Sequence, residues 1–398
     1  MASALTQGQF DLLNRAPSPA SPSVTASNRV PRPLPSFHPL PALPDAGFLD
    51  IRSSESSHTS ILDNLDSRTL DGLSQPPGRK LLPSLLIWDE KGQTLYDDIL
   101  DTEDYYPFRI ENKLIKREVN EIASTIAASG PDLLVELGAG NMSKTSQLLS
   151  SLDGYLNSPL TYYALDVDKA QLEKSLLQVT QRADLHWIKV CGLLGTYEDG
   201  AKWLARPEIA PYRRTLVWLG SSIANFEQDE ASELLESFAK VPETGAPQNL
   251  AGCLLFVDGC QDAARIERAY DLAGGQSRRW MEYGIEAARR HLRGNGDDAE
   301  VDRLLADDNW RFEGQWHPER QRYESYLVPT RELVGTIRQQ PIRLEKGERV
   351  AFFGSGKWTK DTMDKVGSRP GLKVHKSWHE AEFNYGTVQN LSSHLGSC

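Results

Sequence analysis

The stretch Val135-Glu136-Leu137-Gly138-Ala139-Gly140-Asn141-Met142-Ser143-Lys144-Thr145 (VELGAGNMSKT) decides the architecture of this 398-residue chain. The run DLLVELG that enters it is short, apolar and strand-like, and SKTSQLLSSL beyond it has helical spacing. A strand therefore runs into a glycine turn and leaves it as a helix. Glycines at such a turn let the backbone approach a ligand closely, and in an open α/β sheet that ligand lies beyond the strand's carboxyl end. About 28 residues later a second strand-like run, TYYALDVD, ends at Asp166, a carboxylate suited to a ribose diol.

The same rhythm continues outward. TYYALDVD is followed by KAQLEKSLLQVT, TLVWLGSS by QDEASELLESFAK, and GCLLFVDGC by ARIERAYDL, with a shorter strand expected at LHWIKVCG. Strands alternating with helices predict a doubly wound parallel sheet of Rossmann-like α/β class. Upstream, LLIWDEKGQ through IASTIAAS reads as two or three helices, with Leu114, Ile115, Val119, Ile122 and Ile126 at helical spacing. The last third (QRYESYLVPT, PIRLEKGERVAFFGSGKW, HEAEFNYGTVQNL) reads as longer strands, a β-rich addition forming a second subdomain. The expected organisation is a disordered Pro/Ser-rich arm over 1–48, N-terminal helices for substrate binding over 49–130, a nucleoside-binding core over 131–275 and a C-terminal substrate-binding subdomain over 276–398.

A net charge of −11 argues against a nucleic-acid partner, because a phosphate backbone requires a basic surface. Cys191, Cys253, Cys260 and Cys398 form no CxxC pair and match no zinc module, which points to a reducing compartment. No apolar run reaches membrane-spanning length, and MASALTQGQFDLLNR lacks the basic-then-apolar pattern of a secretory signal. The expectation is a cytoplasmic monomer without membrane attachment. His375 and His379 sit four apart, but no glutamate follows the first and the segment precedes a strand, so no metal is expected.

Two nucleoside-binding classes share the strand–turn–helix layout. The dinucleotide fingerprint GxGxxG needs a third glycine where this chain has Ser143, whereas Glu136 completes ExGxG, the usual first motif of methyltransferases. A tight turn with an N-capping Asp in an unrelated α/β protein would look similar.

Beyond that motif, WDEKGQTLYDDI, DYYPFRIE, VELGAGNMSKT, YYALDVD, GLLGTYEDG, LGSSIANF and IERAYD occur in an order that resembles the histidine-specific methyltransferase family. That family includes the enzymes that trimethylate histidine for ergothioneine and the fungal dimethylallyltryptophan N-methyltransferases. GLLGTYEDG and LGSSIANF look most like the fungal branch. The resemblance runs from about Leu85 onward and implies a class I methyltransferase fold with S-adenosylmethionine as methyl donor. It implies that Gly138 and Gly140, in the motif opened by Glu136, contact the methionine part of the donor, that Lys144 meets the donor's carboxylate, and that Asp166 takes the ribose hydroxyls. Gly192, Leu193 and Thr196 would flank the adenine, although the bacterial enzymes carry an acidic residue where this chain has Leu193.

On the acceptor side the resemblance implies Asn225, Tyr105 and Tyr270 around the amino-acid group, with either tyrosine hydroxyl or a water passing on the amine proton. Histidine methyltransferases read the imidazole with a glutamate two residues before a serine; this chain has Phe353 and Ser355. An imidazole nitrogen facing a phenyl ring would lose a hydrogen bond of about 1 kcal/mol. Trp88 replaces a family tyrosine, and the asparagine after the GG turn is missing from GGQSRRWMEYG. These departures favour an aromatic or apolar amine walled by Trp88, Phe353 and Trp280, methylated in fungal-type secondary metabolism such as alkaloid biosynthesis. A histidine α-amine methyltransferase and a non-catalytic donor-binding regulatory protein are the alternatives, with a NAD-dependent dehydrogenase behind them.

Overall fold

The computed structural model describes residues 47–52, 65–182, 185–240, 249–272, 274–293 and 298–392. All belong to the compact unit Leu40–Cys398. The Pro/Ser-rich arm expected over 1–48 lies outside them except for its last two residues, and Cys398 lies outside them as well.

Eight strands form the central sheet in the order β1-β4-β3-β2-β5-β6-β13-β12. Their ranges are β1 Phe48–Asp50, β2 Leu133–Leu137, β3 Leu160–Asp166, β4 Ile188–Leu194, β5 Arg214–Trp218, β6 Leu250–Val257, β12 Leu372–Glu380 and β13 Tyr385–Ser392. The six strands from β1 to β6 pair in parallel, and β13 runs antiparallel between β6 and β12. From β2 the chain winds one way to β3 and β4, then returns to β5 and β6. The reversal puts the carboxyl ends of β2 and β5 side by side, where a doubly wound sheet opens its crevice.

Alternate residues of the buried strands serve opposite faces. Leu134, Tyr162, Ala164 and Val217 belong to one core with helices α3 (Tyr106–Ser129), α4 (Ser143–Asp153) and α5 (Lys169–Arg182). Leu133, Val135, Leu137, Tyr163 and Leu165 belong to the other, with α6 (Tyr197–Leu204), α7 (Gln228–Ala239) and α11 (Lys360–Ser368). Ahead of these run α1 (Leu65–Leu73) and α2 (Glu90–Leu100). The expected apolar face of α3 is buried at Leu114, Ile115, Ile122 and Ile126, and Gly130 in the left-handed conformation ends the helix.

The last third carries the expected β-rich addition, with helices ahead of it. After α8 (Ala263–Asp271) come α9 (Gln276–Arg293) and α10 (Ala299–Leu304), then the antiparallel sheet of β7 (Trp310–His317), β8 (Arg322–Pro329) and β11 (Val350–Gly356) and the hairpin of β9 (Leu333–Ile337) and β10 (Gln340–Leu344). After the GG turn, α9 buries Trp280, Met281, Ile285 and Leu292 on one face. β12 and β13, in the stretch expected to be a separate subdomain, join the main sheet because β6 offers its edge to a chain running the other way. His375 and His379 lie on β12 and not on a helix.

Candidate active site

Gly138 and Gly140 follow β2 with φ of +72° and +53°, a left-handed region where side chains are costly. A Cβ on Gly138 would stand 2.8 Å from the Tyr197 hydroxyl, whereas one on Gly140 would meet nothing within 4 Å. Gly138 is therefore bound by protein behind it, and Gly140 faces open space. Across the turn, Asp166 at the end of β3 receives the Gly140 N–H on Oδ2 (3.0 Å) and the Asp168 N–H on Oδ1 (3.1 Å). Burial holds the Asp166 carboxyl above its usual pKa, against these backbone donors.

Glu136 stands behind the turn. It is 1% exposed, and its oxygens receive the hydroxyls of Thr145 (2.8 and 2.9 Å) and Tyr162 (2.5 Å). Burial pushes its pKa up to about 7 despite those hydrogen bonds. Glu136 thus ties the start of α4 to β2 and β3.

Lys144 already has a carboxylate partner. Its Nζ lies 2.9 Å from Oε1 of Glu111, a buried residue of α3 that also receives the Gly220 N–H (2.8 Å) and the Tyr385 hydroxyl (2.5 Å). Glu111 was not singled out in the sequence, although it precedes the buried Leu114 and Ile115 by three and four positions and so shares their face.

At the expected adenine position, β4 starts three residues later than LHWIKVCG and runs two residues past it, and its CGLL end is buried throughout. Gly192 lies inside the sheet, where a Cβ would strike Leu176 (2.8 Å) and Leu172 (2.9 Å), and Leu193 packs into the opposite core. Neither reaches the carboxyl edge. Gly195 does, donating its N–H to the Asp166 carbonyl (3.0 Å). Thr196 caps α6 by accepting the Asp199 N–H (3.1 Å), and Tyr197 follows with its ring 4.8 Å from that of Trp218.

The residues expected on the acceptor side form a set of rings. Trp88 meets Trp280 at 5.1 Å, Trp280 meets Phe353 at 5.6 Å, and Tyr105 meets Tyr270 at 5.7 Å. Tyr96, from TLYDDI, bridges the two groups at 5.1 Å from Trp88 and from Trp280 and 6.2 Å from Tyr105. Trp88 is positioned by its neighbour Asp89, which caps α2 through the Gly92 N–H (2.7 Å) and accepts the Tyr283 hydroxyl (2.6 Å). Burial raises the Tyr105 and Tyr270 phenols well above their usual pKa, so neither is ionised near neutrality.

Asn225 ends a 3₁₀ turn, Ser222–Asn225, beyond β5. The carbonyls of Ala224, Asn225 and Phe226 are gripped by the Arg322 guanidinium at 3.2, 2.8 and 2.9 Å. Its path crosses Gly354, where a Cβ would fall on the guanidinium. The Asn225 amide has no hydrogen-bond partner among the described residues.

Next to this turn Tyr270 Oη lies 3.2 Å from Ser355 Oγ, and the buried Lys357 ammonium reaches both, at 2.8 and 3.1 Å. Lys357 is also paired with Asp258 at 2.8 Å, and the Tyr106 hydroxyl donates to the same Asp258 oxygen at 2.7 Å. Asp258 lies just beyond β6, as Asp166 does at the end of β3, within a segment the sequence marked only as a strand. Among the described residues no group of His, Cys, Asp and Glu is arranged to hold a metal ion.

The site thus pairs an open glycine turn and a buried carboxylate with a packed cluster of aromatic rings. Residues 65–390 match the family described as histidine-specific methyltransferase, SAM-dependent. The chain belongs to this family. This methyltransferase is 35% identical over 353 residues to N-methyltransferase imqF of Aspergillus flavus, covering 88% of this chain and 90% of that one. It is 37% identical over 316 residues to N-methyltransferase fsqC of Aspergillus fumigatus, covering 79% and 80%. It is 31% identical over 363 residues to L-tryptophan methyltransferase trpM of Psilocybe serbica, covering 86% and 97%. Its methyl donor is S-adenosylmethionine, and the methyltransferase has no described helix long and apolar enough to cross a membrane.

Proposed function

We propose that the enzyme N-methylates an amino acid or amino-acid-derived amine whose side chain is aromatic or apolar, as in fungal alkaloid biosynthesis. The observation that carries this reading is the run of rings Trp88, Trp280 and Phe353, which offers π-faces where a histidine-specific site needs a carboxylate. The names of the relatives support the reaction, and trpM supports an indole-bearing acceptor. Buried free thiols at Cys191, Cys253 and Cys260 support a reducing compartment such as the cytoplasm.

Gly138, Gly140 and Asp166 fit the nucleoside of the donor, because the turn leaves open space before Gly140 and a carboxylate stands at ribose height. Lys144 holds the donor's amino-acid end, loosening its contact with Glu111. The edge from Leu194 to Tyr197 lies beside the adenine. Bound S-adenosylmethionine supplies a sulfonium methyl group open to in-line displacement by an amine. The residues of this chain contribute position above all: Tyr105, Asn225 and Tyr270 hold the amino-acid group so that the nitrogen faces the methyl carbon. The amine must be neutral, and a free α-amine titrates near pH 8, so no strong base is required. The N-terminal helices and the segment from α9 to β11 form the acceptor side.

The test is turnover of a labelled donor with histidine, tryptophan, a prenylated tryptophan and tyrosine. Methylation of tryptophan-type acceptors is the expected result. Turnover of histidine alone would refute the proposal, and donor binding with no acceptor methylated would establish a regulatory protein.

A further inference from the structure

We infer that Glu111 is a specificity residue for the donor: its buried carboxylate offsets the charge of Lys144 and reserves the amino-acid end of the site for a zwitterion. The inference rests on the proposed placement of the donor's carboxylate at Lys144 and adds a partner for the donor's ammonium.

A lysine in the first turn of a helix that leaves a glycine turn ordinarily makes an anion site. The free amide protons and the helix dipole add to its charge. Lys144 is the second residue of α4, and Gly140 faces open space ahead of it. Here, however, a carboxylate is already in place. Glu111 lies 2.9 Å from the Lys144 ammonium, with side chains 1% and 14% exposed, and the Phe108 ring stands 5.4 Å from the same nitrogen. That nitrogen is also 3.7 Å from where a Cβ of Gly220 would be, so the pair sits over the carboxyl end of β5.

A carboxylate carries about four acceptor sites. On Glu111, Oε1 receives the Gly220 N–H (2.8 Å) as well as Lys144, and Oε2 receives the Tyr385 hydroxyl (2.5 Å). The donors other than Lys144 come from the loop after β5 and from β13. Glu111 therefore stays anchored when Lys144 turns toward a ligand.

Charge then decides which ligand fits. An anion with no ammonium would set two carboxylates on one lysine and leave a negative charge uncompensated where little water reaches. A zwitterion avoids this: its carboxylate takes Lys144, and its ammonium takes the position on Oε1 that Lys144 gives up. Glu136, the other buried carboxyl acting on Lys144, already receives the Thr145 and Tyr162 hydroxyls and is raised toward neutrality by burial. Glu111 is thus the carboxylate left to answer the ammonium.

The experiment is calorimetry on the full chain with three probes: S-adenosylhomocysteine, its analogue lacking the α-amino group, and its analogue lacking the carboxylate. The wild type should bind S-adenosylhomocysteine at least about 10-fold more tightly than the analogue lacking the amino group, the scale of one charge-assisted contact. Glu111→Gln should shrink that preference to about 2-fold or less, because the anion alone is no longer opposed. A merely structural role would lower both affinities alike. An unchanged ratio in Glu111→Gln, or a wild type without the preference, would overturn the inference. Lys144→Met leaves Glu111 without its cation, so S-adenosylhomocysteine should weaken and the analogue lacking the carboxylate should bind at least as tightly. This arm stands even if Glu111→Gln does not fold: S-adenosylhomocysteine that weakens yet stays preferred overturns the inference. If Lys144→Met leaves its affinity unchanged, or the wild type does not bind it, the proposed placement of the donor falls instead.

Discussion

Between Val135 and Asp166 the crevice is bounded chiefly by backbone: two glycines of positive φ and amide protons turned onto one carboxylate. The ring cluster, by contrast, is built of side chains from four stretches, around Trp88, Tyr105, Tyr270–Trp280 and Phe353–Lys357. A backbone cradle depends on a few local residues and suits a ligand common to many enzymes. A side-chain cluster depends on how the whole chain packs and can be recut residue by residue for a different acceptor. The two sides should therefore fail separately when mutated.

The largest effect is expected from Asp166→Ala. It removes the ribose-height carboxylate and the anchor of the Gly140 N–H, and should weaken S-adenosylhomocysteine binding about 100-fold, two charge-assisted hydrogen bonds' worth. Unchanged affinity by calorimetry would break the comparison at its root. Next comes Gly138→Ala, which sets a methyl 2.8 Å from the Tyr197 hydroxyl in a backbone region alanine avoids. Donor affinity should fall about 10-fold, for a strain of one to two kcal/mol. Adding Tyr197→Phe should restore only part of it, because the φ remains; full restoration would show that space alone matters.

Phe353→Glu addresses the other side. Competition assays should show histidine gaining on tryptophan by roughly 10-fold through a new imidazole hydrogen bond, while donor affinity stays put. A change in donor affinity instead would mean that the two sides are coupled. Gly354→Ala should displace the Arg322 guanidinium from the carbonyls around Asn225 and raise the acceptor KM several-fold, about 1 kcal/mol, with little change in donor binding.

A separate effect, on stability and not on binding, is one of pH. Folding raises Glu136 from an ordinary 4.5 to about 7, so between those values the native state binds a proton that the unfolded chain releases. Stability from this group is present below about pH 4.5 and lost as pH rises through 7. Melting curves of Glu136→Gln should show a shallower decline than wild type from pH 5 to 8. An identical slope would mean that Glu136 is ionised throughout.

The same division governs what could be read from the chain. The strand, turn and helix from Val135 to Thr145, and Asp166 after the next strand, are local patterns whose physics is complete within about thirty residues. Trp88, Tyr105, Tyr270, Trp280 and Phe353 were named from resemblance, and the structure does bring them together. Their supports were not legible. Glu111, Asp258, Arg322 and Lys357 matter chiefly through partners 33 to 274 positions away, and no spacing rule reports on such pairs. Gly192 lies inside β4, and the Leu172 and Leu176 side chains that require a glycine there belong to the preceding α5, which no pattern around Gly192 reports.

β13 follows β12 in the chain but lies between it and β6, so β12 reaches the sheet only through β13. Until β13 docks, β6, LAGCLLFV, shows a naked apolar edge of the kind that recruits other chains into aggregates. Shortened versions lacking the hairpin should collect in inclusion bodies, and slow, cool expression should raise the yield of the intact enzyme.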